Sequence, residues 1–437
     1  MHRRDRIIKR IVFWATSLLY HRVEVRQPPQ LTESGPQLAN GSHFGGFSDP
    51  LLLAHAMDRV PRFVGRDVIW KNPIARVVVN WVGAIPVHKP DDGGRSSNDQ
   101  MFSSCYDALA EGELVTIFPE GITVDDPSIA QIKTGSARIA LGARANGVES
   151  LKIVSAGIHY QNKAALRSDV FIDIGWEIDL DDSIGDYVAD GEPADASNRD
   201  AVRSLTDDME HRLRRAAPDF EDWATARNLS AAAGVALRDV ANRDASVGHG
   251  DKERLARLLD DASPEDQRLV EDAVVAYEAD LDALGFDDAM FVSGLSHPRT
   301  FLWYLIRTVF IGLLLVPFAL VGLFVNWFPM LVVWLIGRLR VADAMMATLK
   351  PLGGLFIFLV TWIGFAVFGW SRRGIEGLAV AVLLLPVYLF ALIALTERIV
   401  LLAKAVRGFT KSRGGRGVLA QVMDHREAVV EAVAQVV

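Results

Sequence analysis

The chain has 437 residues, which is enough for more than one domain with a sizeable core. Its formal net charge is −8, so it has no general basic character and gives no reason to expect nucleic-acid binding. Cys105 is the only cysteine, which excludes an internal disulfide and any metal site built from several cysteines.

The chain begins with MHRRDRIIKRIVFWATSLLYHRVEV, in which basic residues flank a short apolar run. The run has no small-residue cleavage site and is interrupted by polar residues, which is not typical of a signal peptide. Apolar residues recur at helical spacing over residues 5–20. We predict that residues 1–25 form an amphipathic helix on an anionic membrane surface. A core helix of the following domain is the alternative.

Residues 26–180 alternate short apolar stretches with segments of helical spacing. This alternation is typical of an α/β domain with a largely parallel sheet flanked by helices. The predicted strands are RFVGRDV, GAIPVH, ELVTIFP, LKIVSAGIHY and DVFIDIGWEI, and the predicted helices are PLLLAHAMDRV, NPIARVVVNWV, DQMFSSCYDALAEG and GSARIALGARANG.

Three further segments follow the predicted α/β domain. Residues 181–300 are rich in Ala, Asp, Arg and Glu at helical spacing, which predicts a charged helical insert. Residues 301–400 are a predicted transmembrane region, because 301–325 is long enough to cross about 30 Å of hydrocarbon. The stretches 352–370 and 377–396 are two further apolar spans separated by SRRGIE. Residues 401–437 form a basic and then amphipathic tail, expected in the cytoplasm.

Basic residues flank the apolar region at 338–340, 371–373 and 404–416. Such residues favour the cytoplasmic side of a membrane. We therefore expect 301–337 to be a crossing or re-entrant hairpin that returns to the cytoplasmic side after NWFP. Residues 352–370 and 377–396 are then expected to form a second hairpin, with SRR outside and the tail in the cytoplasm. Three full crossings with an external tail is the alternative. The expected location is the cytoplasmic membrane, with the α/β domain facing the cytoplasm.

The stretch GSHFGGFSDPLLLAHA places His43 six residues before Asp49, with two glycines between them. A neutral imidazole can remove a proton from an alcohol, and a carboxylate on its Nδ1–H fixes the tautomer and orientation this requires. Gly45 and Gly46 allow the chain to fold back. In the alternative, Asp49 only caps the helix that Pro50 begins, and His43 is a surface loop residue.

A second polar loop follows the predicted strand ELVTIFP. Glu120 and Gly121 lie at its carboxyl end, where open α/β sheets build their sites. The next segment, QIKTGSARIALGA, opens a helix with small residues, and backbone N–H groups there can bind phosphate together with Lys133 and Arg138. The alternative is a turn carboxylate and solvated surface cations.

A third element, GAIPVHKP, is an apolar strand that ends at two candidate cations, His88 and Lys89. Its alternative is an edge strand with ordinary polar flanking residues. No further clustered ligands accompany His43 and Asp49 in the sequence, so we expect no metal site.

In the order SHFGGFSDP, GAIPV, FPEG and IVSAGIHY, the sequence resembles the four blocks of the glycerolipid acyltransferases of the lysophosphatidic acid type. The resemblance covers roughly residues 10–180. This chain has five residues between His43 and Asp49, where four are usual and some members with long C-terminal membrane regions have five. It also has Ser42 in place of a common Asn, His88 and Lys89 in place of an Arg, and Ile122 in place of a small hydroxyl residue.

The resemblance implies acyl transfer from acyl-CoA or acyl carrier protein to a hydroxyl of a lysophospholipid, with 1-acyl-glycerol-3-phosphate as the expected acceptor. It implies that His43 is the general base and that Asp49 orients it. Direct attack without an acyl-enzyme agrees with the absence of a G-x-S-x-G motif from the sequence. The residues implied to hold the acceptor and its phosphate are Glu120, Gly121, Lys133, Arg138, Lys89 and His88. No metal or other cofactor is expected.

Other functions stay open from the sequence. Within the enzyme class, the alternative acceptors are glycerol 3-phosphate and other lysolipids. Outside it, the chain could be a non-catalytic membrane scaffold or a transporter. The apolar spans carry little charge apart from Arg307, so no ion or substrate path is evident in them.

Overall fold

A computed structural model describes residues 3–29, 31, 34–88, 98–123, 125–238, 240, 246–413 and 416–437. The chain divides into two compact units. The sheet unit comprises Met1–Glu221 and Arg340–Pro351, and the helical unit comprises Asp222–Leu339 and Leu352–Val437.

The sheet unit contains an eight-stranded, mostly parallel sheet, which confirms the predicted fold class. The strand order is β1-β7-β6-β2-β5-β3-β4, with β8 paired to β6. All pairs are parallel except those of β6 with β7 and with β8. The strands are β1 Arg22–Arg26, β2 Gln37–Gly41, β3 Arg62–Arg66, β4 Ile85–Val87, β5 Leu114–Ile117, β6 Lys152–Tyr160, β7 Asp169–Ile174 and β8 Ile178–Asp179.

Helices flank this sheet, and the four predicted between residues 48 and 145 are all present. They bury small and aliphatic side chains against the strands, and Cys105 is fully buried among them. Burial raises the pKa of Cys105 to about 12, so this thiol is a packed side chain and not a nucleophile. The helices are α1 Arg3–Leu19, α2 Ser48–Ala56, α3 Pro73–Val82, α4 Asp99–Ala110, α5 Gly135–Ala145, α6 Leu180–Tyr187 and α7 Arg199–Ala216.

The helix α1 spans Arg3–Leu19, so the helix predicted over residues 1–25 ends earlier than expected, and Arg22–Arg26 form the strand β1. One face of α1, including Ile8 and Val12, packs on α2. The opposite side exposes Ile11, Phe13 and Trp14 beside basic residues. The helix therefore belongs to the core of the sheet unit and also presents an apolar surface of the kind that an interfacial helix needs.

The boundary between the two units lies later than the expected end of the α/β domain at residue 180. The helix α7 buries Leu205, Met209 and Leu213 in the core of the sheet unit. The chain enters the helical unit only after Glu221. The buried residues of α7 recur at helical spacing among many charged residues, so the sequence indicates an amphipathic helix but not the core on which it packs.

The helical unit contains α8 Trp223–Leu237, α9 His249–Asp260, α10 Pro264–Leu284, α11 Asp288–Val292 and α14 Arg416–Val436. The C-terminal helix α14 packs against α8 and α10. Its Arg426 is buried and donates to Asp288 Oδ1 at 3.1 Å and to the Val235 carbonyl oxygen at 2.9 Å. The tail is thus a folded part of the helical unit.

Two helices are long and apolar enough to cross a membrane, α12 Pro298–Ile336 and α13 Asp343–Ser412. In the most apolar window of each helix, only 22% of the residues are buried. A core helix of a soluble protein would be mostly buried, so this exposure favours a lipid environment.

The predicted turn at NWFP is wrong, because α12 continues through it. The fully buried Asn326 explains how a polar residue fits there: its side chain donates to the Gly322 carbonyl oxygen at 2.9 Å and accepts from Trp362 Nε1 at 3.0 Å. A polar side chain with both partners inside the helix packing does not interrupt an apolar helix.

The expected separation at SRRGIE is present as an interruption of α13. Arg373 and Gly374 leave the helical conformation, and Gly374 has a φ of 59°. Gly369 and Gly377 approach so closely that a Cβ atom at Gly377 would lie 2.1 Å from the Gly369 carbonyl oxygen. The chain therefore bends sharply here, and the glycines make the bend sterically feasible.

The contact between β6 and α7 can be tested by substitution of Gly157. A Cβ atom there would lie 1.9 Å from the Ala216 carbonyl oxygen, so we expect Gly157→Ala to lower the free energy of unfolding by about 1–3 kcal/mol. Gly185→Ala is the matched control, because a Cβ atom at that α6 position meets no atom within 4 Å. Thermal unfolding of both variants would measure the difference, and equal midpoints would contradict the packing described.

Candidate active site

The loop after β2 carries His43 and Asp49. The strand β2 lies in the middle of the sheet between β6 and β5, and the loop leaves its carboxyl end. Gly46 has a φ of 58°, and a Cβ atom at Gly45 would lie 2.3 Å from Tyr160 Oη. Both glycines are therefore required by the tight loop that returns the chain from His43 to Asp49.

His43 and Asp49 are in direct contact. His43 Nδ1 lies 2.8 Å from Asp49 Oδ2, and the Asp49 side chain is fully buried while 20% of the His43 side chain is exposed. A buried carboxylate beside Nδ1 makes this nitrogen the donor, which leaves Nε2 unprotonated as a base. Within the described part of the chain, Nε2 has no hydrogen-bond partner. The Phe118 ring stacks on the imidazole with 4.4 Å between centroids.

The geometry does not support the alternative in which Asp49 caps a helix. The helix α2 begins at Ser48, and its N-cap is Phe47. The Asp49 carboxylate instead accepts from the Gly45 backbone N–H, at 3.0 Å for Oδ1 and 2.8 Å for Oδ2. The carboxylate therefore stabilises the loop and the histidine.

Tyr160 completes the surroundings of Asp49, and sequence reasoning missed it. Its hydroxyl donates to Asp49 Oδ1 at 2.5 Å from the end of β6. Burial and the adjacent Asp49 charge raise the pKa of Tyr160 well above its ordinary range, so the hydroxyl remains a donor. The available signal was its position at the carboxyl end of a predicted strand in the block IVSAGIHY.

Glu120 supports the same loop from the end of β5. Its buried carboxylate accepts from the His43 backbone N–H at 2.8 Å and from the Ala130 backbone N–H at 3.0 Å. Burial raises the pKa of Glu120, and the two backbone hydrogen bonds oppose that shift. Both oxygens are used within the protein, so these contacts position His43, and the contact with an acceptor stays a prediction.

Gly121 and Lys133 lie together beside Glu120. Gly121 has a φ of 66°, and a Cβ atom built on it would lie 2.9 Å from Lys133 Nζ. Lys133 is exposed, and its ammonium group has no carboxylate partner among the residues that the structure describes. The structure thus brings one predicted phosphate cation to the loop that contains Glu120.

The other predicted cations do not join this cluster. His88 Nδ1 lies 2.7 Å from Asp67 Oδ2, and no hydrogen bond links His88 to His43, Asp49 or Glu120. Arg138 lines a separate surface pocket between α5 and α7. Lys89 lies outside the described residues.

The segment Arg340–Pro351 also contacts the loop, although it lies some 300 residues further along the chain. The Ser48 hydroxyl donates to the Ala347 carbonyl oxygen at 3.0 Å, and the Phe47 N–H donates to Thr348 Oγ1 at 3.1 Å. Lys350 Nζ donates to the Ala164 carbonyl oxygen at 2.7 Å. No sequence pattern indicates this packing, because the segment has only the features of a connection between apolar spans.

Comparison with known proteins finds similarity in the part of the chain that contains this site. A family model described as "Acyltransferase" matches residues 22–159. The chain is 32% identical over 136 residues to Glycerol-3-phosphate O-acyltransferase 2 of Saccharomyces cerevisiae. This match covers 31% of this chain and 18% of that protein. It is 27% identical over 126 residues to Glycerol-3-phosphate O-acyltransferase 1 of the same yeast, which covers 29% of this chain and 16% of that protein.

Residues 22–159 are therefore similar to the glycerolipid acyltransferases, and this similarity supports the resemblance of the four blocks. The match spans less than a fifth of the length of both yeast proteins. Among solved structures, the crystal structure of the 1-acyl-sn-glycerophosphate (LPA) acyltransferase PlsC from Thermotoga maritima is 17% identical, with a TM-score of 0.35 over 48% of this chain and 78% of that chain.

The hydrogen bond from Tyr160 to Asp49 can be tested by Tyr160→Phe. A hydrogen bond to a charged group contributes about 1.5–3 kcal/mol, so we expect kcat for acyl transfer to fall by about 10-fold or more. Tyr187→Phe is the matched control, because it removes a 2.7 Å hydrogen bond to Asp208 elsewhere in the sheet unit. Equal activity of the two variants would show that Tyr160 does not act on the His43–Asp49 pair.

Glu120→Gln tests the second buried carboxylate. One of its oxygens becomes an NH2 group that faces a backbone N–H, and we expect kcat to fall by at least about 5-fold. Because burial raises the pKa of Glu120 above 4.5, the folded state holds this proton more tightly than the unfolded chain. The stability of the wild type relative to the variant should therefore fall as the pH rises from 4.5 through the raised pKa. Denaturant unfolding across this range would contradict the assignment if the difference stayed constant or grew.

Proposed function

We propose that the protein is a membrane-bound O-acyltransferase of phospholipid biosynthesis. It moves a fatty acyl group from acyl-CoA or acyl carrier protein to a hydroxyl of a lysophospholipid, and 1-acyl-glycerol-3-phosphate is the first candidate acceptor. The observation that carries the proposal is the 2.8 Å contact of His43 Nδ1 with the buried Asp49, on a loop of an acyltransferase domain. A non-catalytic scaffold would not need this pair.

In the proposed reaction, His43 Nε2 removes the proton of the acceptor hydroxyl while the oxygen attacks the carbonyl carbon of the acyl thioester. Asp49 holds the imidazole and stabilises the imidazolium. The tetrahedral intermediate collapses with breakage of the C–S bond, and the imidazolium returns the proton to the leaving thiolate. The new C–O bond is the ester of the product, and no metal or cofactor takes part.

Hydrogen bonds within the protein already occupy several backbone N–H groups of the loop, which excludes these groups as donors to the oxyanion. The N–H groups of His43, Gly45 and Phe47 donate to Glu120, Asp49 and Thr348, and the Gly121 N–H donates to the Phe118 carbonyl oxygen. Between residues 43 and 48, the backbone N–H groups of Phe44 and Gly46 have no acceptor within the described ranges. These two groups are the ones we propose for the developing negative charge of the thioester oxygen.

A lipid acceptor agrees with the surface beside the site. The helix α1 packs on α2, which carries Asp49, and its other side exposes Ile11, Phe13 and Trp14 with basic neighbours. Such a surface suits the headgroup region of an anionic membrane. We propose that α12 and α13 lie in the cytoplasmic membrane and that the sheet unit faces the cytoplasm, where acyl donors are found.

Glycerol 3-phosphate is the second candidate acceptor. Both yeast relatives reported above carry the name of glycerol-3-phosphate O-acyltransferases, and this observation favours it. Both candidates present a hydroxyl close to a phosphate, for which Lys133 beside Gly121 is the proposed cation. Purified protein in detergent, assayed with each labelled acceptor and with both donor types, would distinguish these acceptors from one another and from other lysolipids.

The central test is His43→Ala. Loss of the general base should lower acyl transfer by about 10²–10⁴-fold, because proton transfer contributes this much to such reactions. Asp49→Asn should be no more damaging, and the double variant should be far from additive because the pair acts as a unit. His425→Ala is the matched control, since it removes a histidine that lies 2.7 Å from Asp280 in the helical unit. Turnover of His43→Ala within a few-fold of the control would overturn the proposal.

A further inference from the structure

A pocket of about 180 Å³ lies on the surface of the sheet unit between α5 and α7, and none of its lining residues belongs to the His43 loop. Its lining consists of Thr134, Arg138, Ala196, Arg199, Val202 and Arg203. Three of these six residues are arginines, and none is acidic. The acidic residues Asp200 and Asp207 of the same helix do not line it.

The three arginines have no counter-ion. Arg138, Arg199 and Arg203 are exposed, and within the described ranges none of their guanidinium groups has a carboxylate or hydrogen-bond partner. Further along α7, Arg212 pairs with Asp208 at 3.0 Å and Arg214 pairs with Glu210 at 2.9 Å. The helix therefore neutralises arginines near its carboxyl end and leaves those at the pocket unpaired.

The backbone adds to the positive potential of the pocket. Thr134 is the N-cap of α5, and Arg199 is the first residue of α7. Helix N-termini carry a partial positive charge, and in α7 the Asn198 side chain accepts from the Ala201 N–H at 3.1 Å while, among the described residues, the other first-turn N–H groups stay available. The Thr134 side chain makes no capping hydrogen bond, so its hydroxyl is available at the pocket. Arginines, a hydroxyl and two helix N-termini form a site suited to a phosphate group.

We propose that this pocket, which we call the arginine pocket, binds a phosphate group, and that in the proposed reaction it holds the nucleotide phosphates of the CoA donor. The assignment to the phosphates of CoA rests on the proposed function. The phosphate of the acceptor is only a few bonds from the reacting hydroxyl, so it must lie close to His43, where Lys133 is available. The nucleotide phosphates of CoA lie at the far end of the pantetheine arm, which suits a separate site.

The test compares Arg199→Ala/Arg203→Ala with Arg254→Ala/Arg268→Ala, a double variant at exposed arginines of the helical unit. The full chain is assayed in detergent with an acyl-CoA and with the acyl thioester of 3′-dephospho-CoA. We expect the arginine-pocket variant to raise KM for acyl-CoA by about 10-fold or more, with kcat and the acceptor KM unchanged. The increase should be smaller for the dephospho thioester.

Other results would overturn the assignment. A rise in the acceptor KM alone would show that the arginine pocket holds the acceptor phosphate. Impairment with acyl carrier protein as the donor, without any effect on acyl-CoA, would make the pocket a protein-docking surface. No change with any substrate would remove it from the reaction.

Direct titration of the full chain with CoA separates this inference from the proposed function. Weaker CoA binding by the arginine-pocket variant than by the control supports the pocket, even if the wild-type protein transfers no acyl group and the proposed function fails. Equal binding of CoA by the two variants overturns the pocket even if acyl transfer is demonstrated.

Discussion

The site depends on one buried carboxylate. Asp49 is fully buried, and an ionised carboxylate is tolerated there only when donors surround it. The donors are His43 Nδ1, the Gly45 N–H and the Tyr160 hydroxyl, and they come from the end of β2, the loop after it and the end of β6. The parallel pairing of β2 with β6, in which Gly41 lies opposite Ala156, brings these groups to one edge of the sheet. The hydrogen bonds that stabilise the buried Asp49 carboxylate also hold the His43 imidazole. The same interactions therefore stabilise the fold and orient the base.

The strand β5, on the other side of β2, positions the backbone of His43. β5 pairs with β2 in parallel, and Glu120 just beyond it holds the His43 N–H. The outer end of the loop is held by Ala347 and Thr348, in the first two turns of α13. Three separate parts of the chain therefore fix a loop of seven residues, which explains how a segment with two glycines can keep a defined geometry.

The sequence predicted the α/β class, five of the eight strands and the pairing of His43 with Asp49, because apolar alternation and the spacing around the glycines are local signals. It did not reveal β2, the strand that carries the site. QLANG has no β-branched residue, and its buried Gln37 and Asn40 are explained only by distant partners, Arg59 and Ser136. Tyr160 was missed for the same reason, since its contact with Asp49 spans more than a hundred residues. The NWFP turn was predicted wrongly because the partner of Asn326 is Trp362, on another helix. Tertiary hydrogen bonds decide these cases, and no local pattern contains them.

The departures from the family pattern bear on the acceptor more than on the chemistry. Where the family usually has an arginine after IPV, this chain has His88, and Asp67 occupies its Nδ1 at 2.7 Å. A histidine held by a carboxylate is a weaker phosphate ligand than a free guanidinium, which offers several donors and a permanent charge. In the proposed reaction, the cation near the reacting hydroxyl would then be Lys133, which offers a single charge on a flexible arm. A site with one such cation constrains the position of the phosphate only loosely, so it accepts different groups attached to that phosphate. In this chain the discrimination between a free glycerol phosphate and an acylated one would therefore depend on the apolar surface of α1 more than on the phosphate contact.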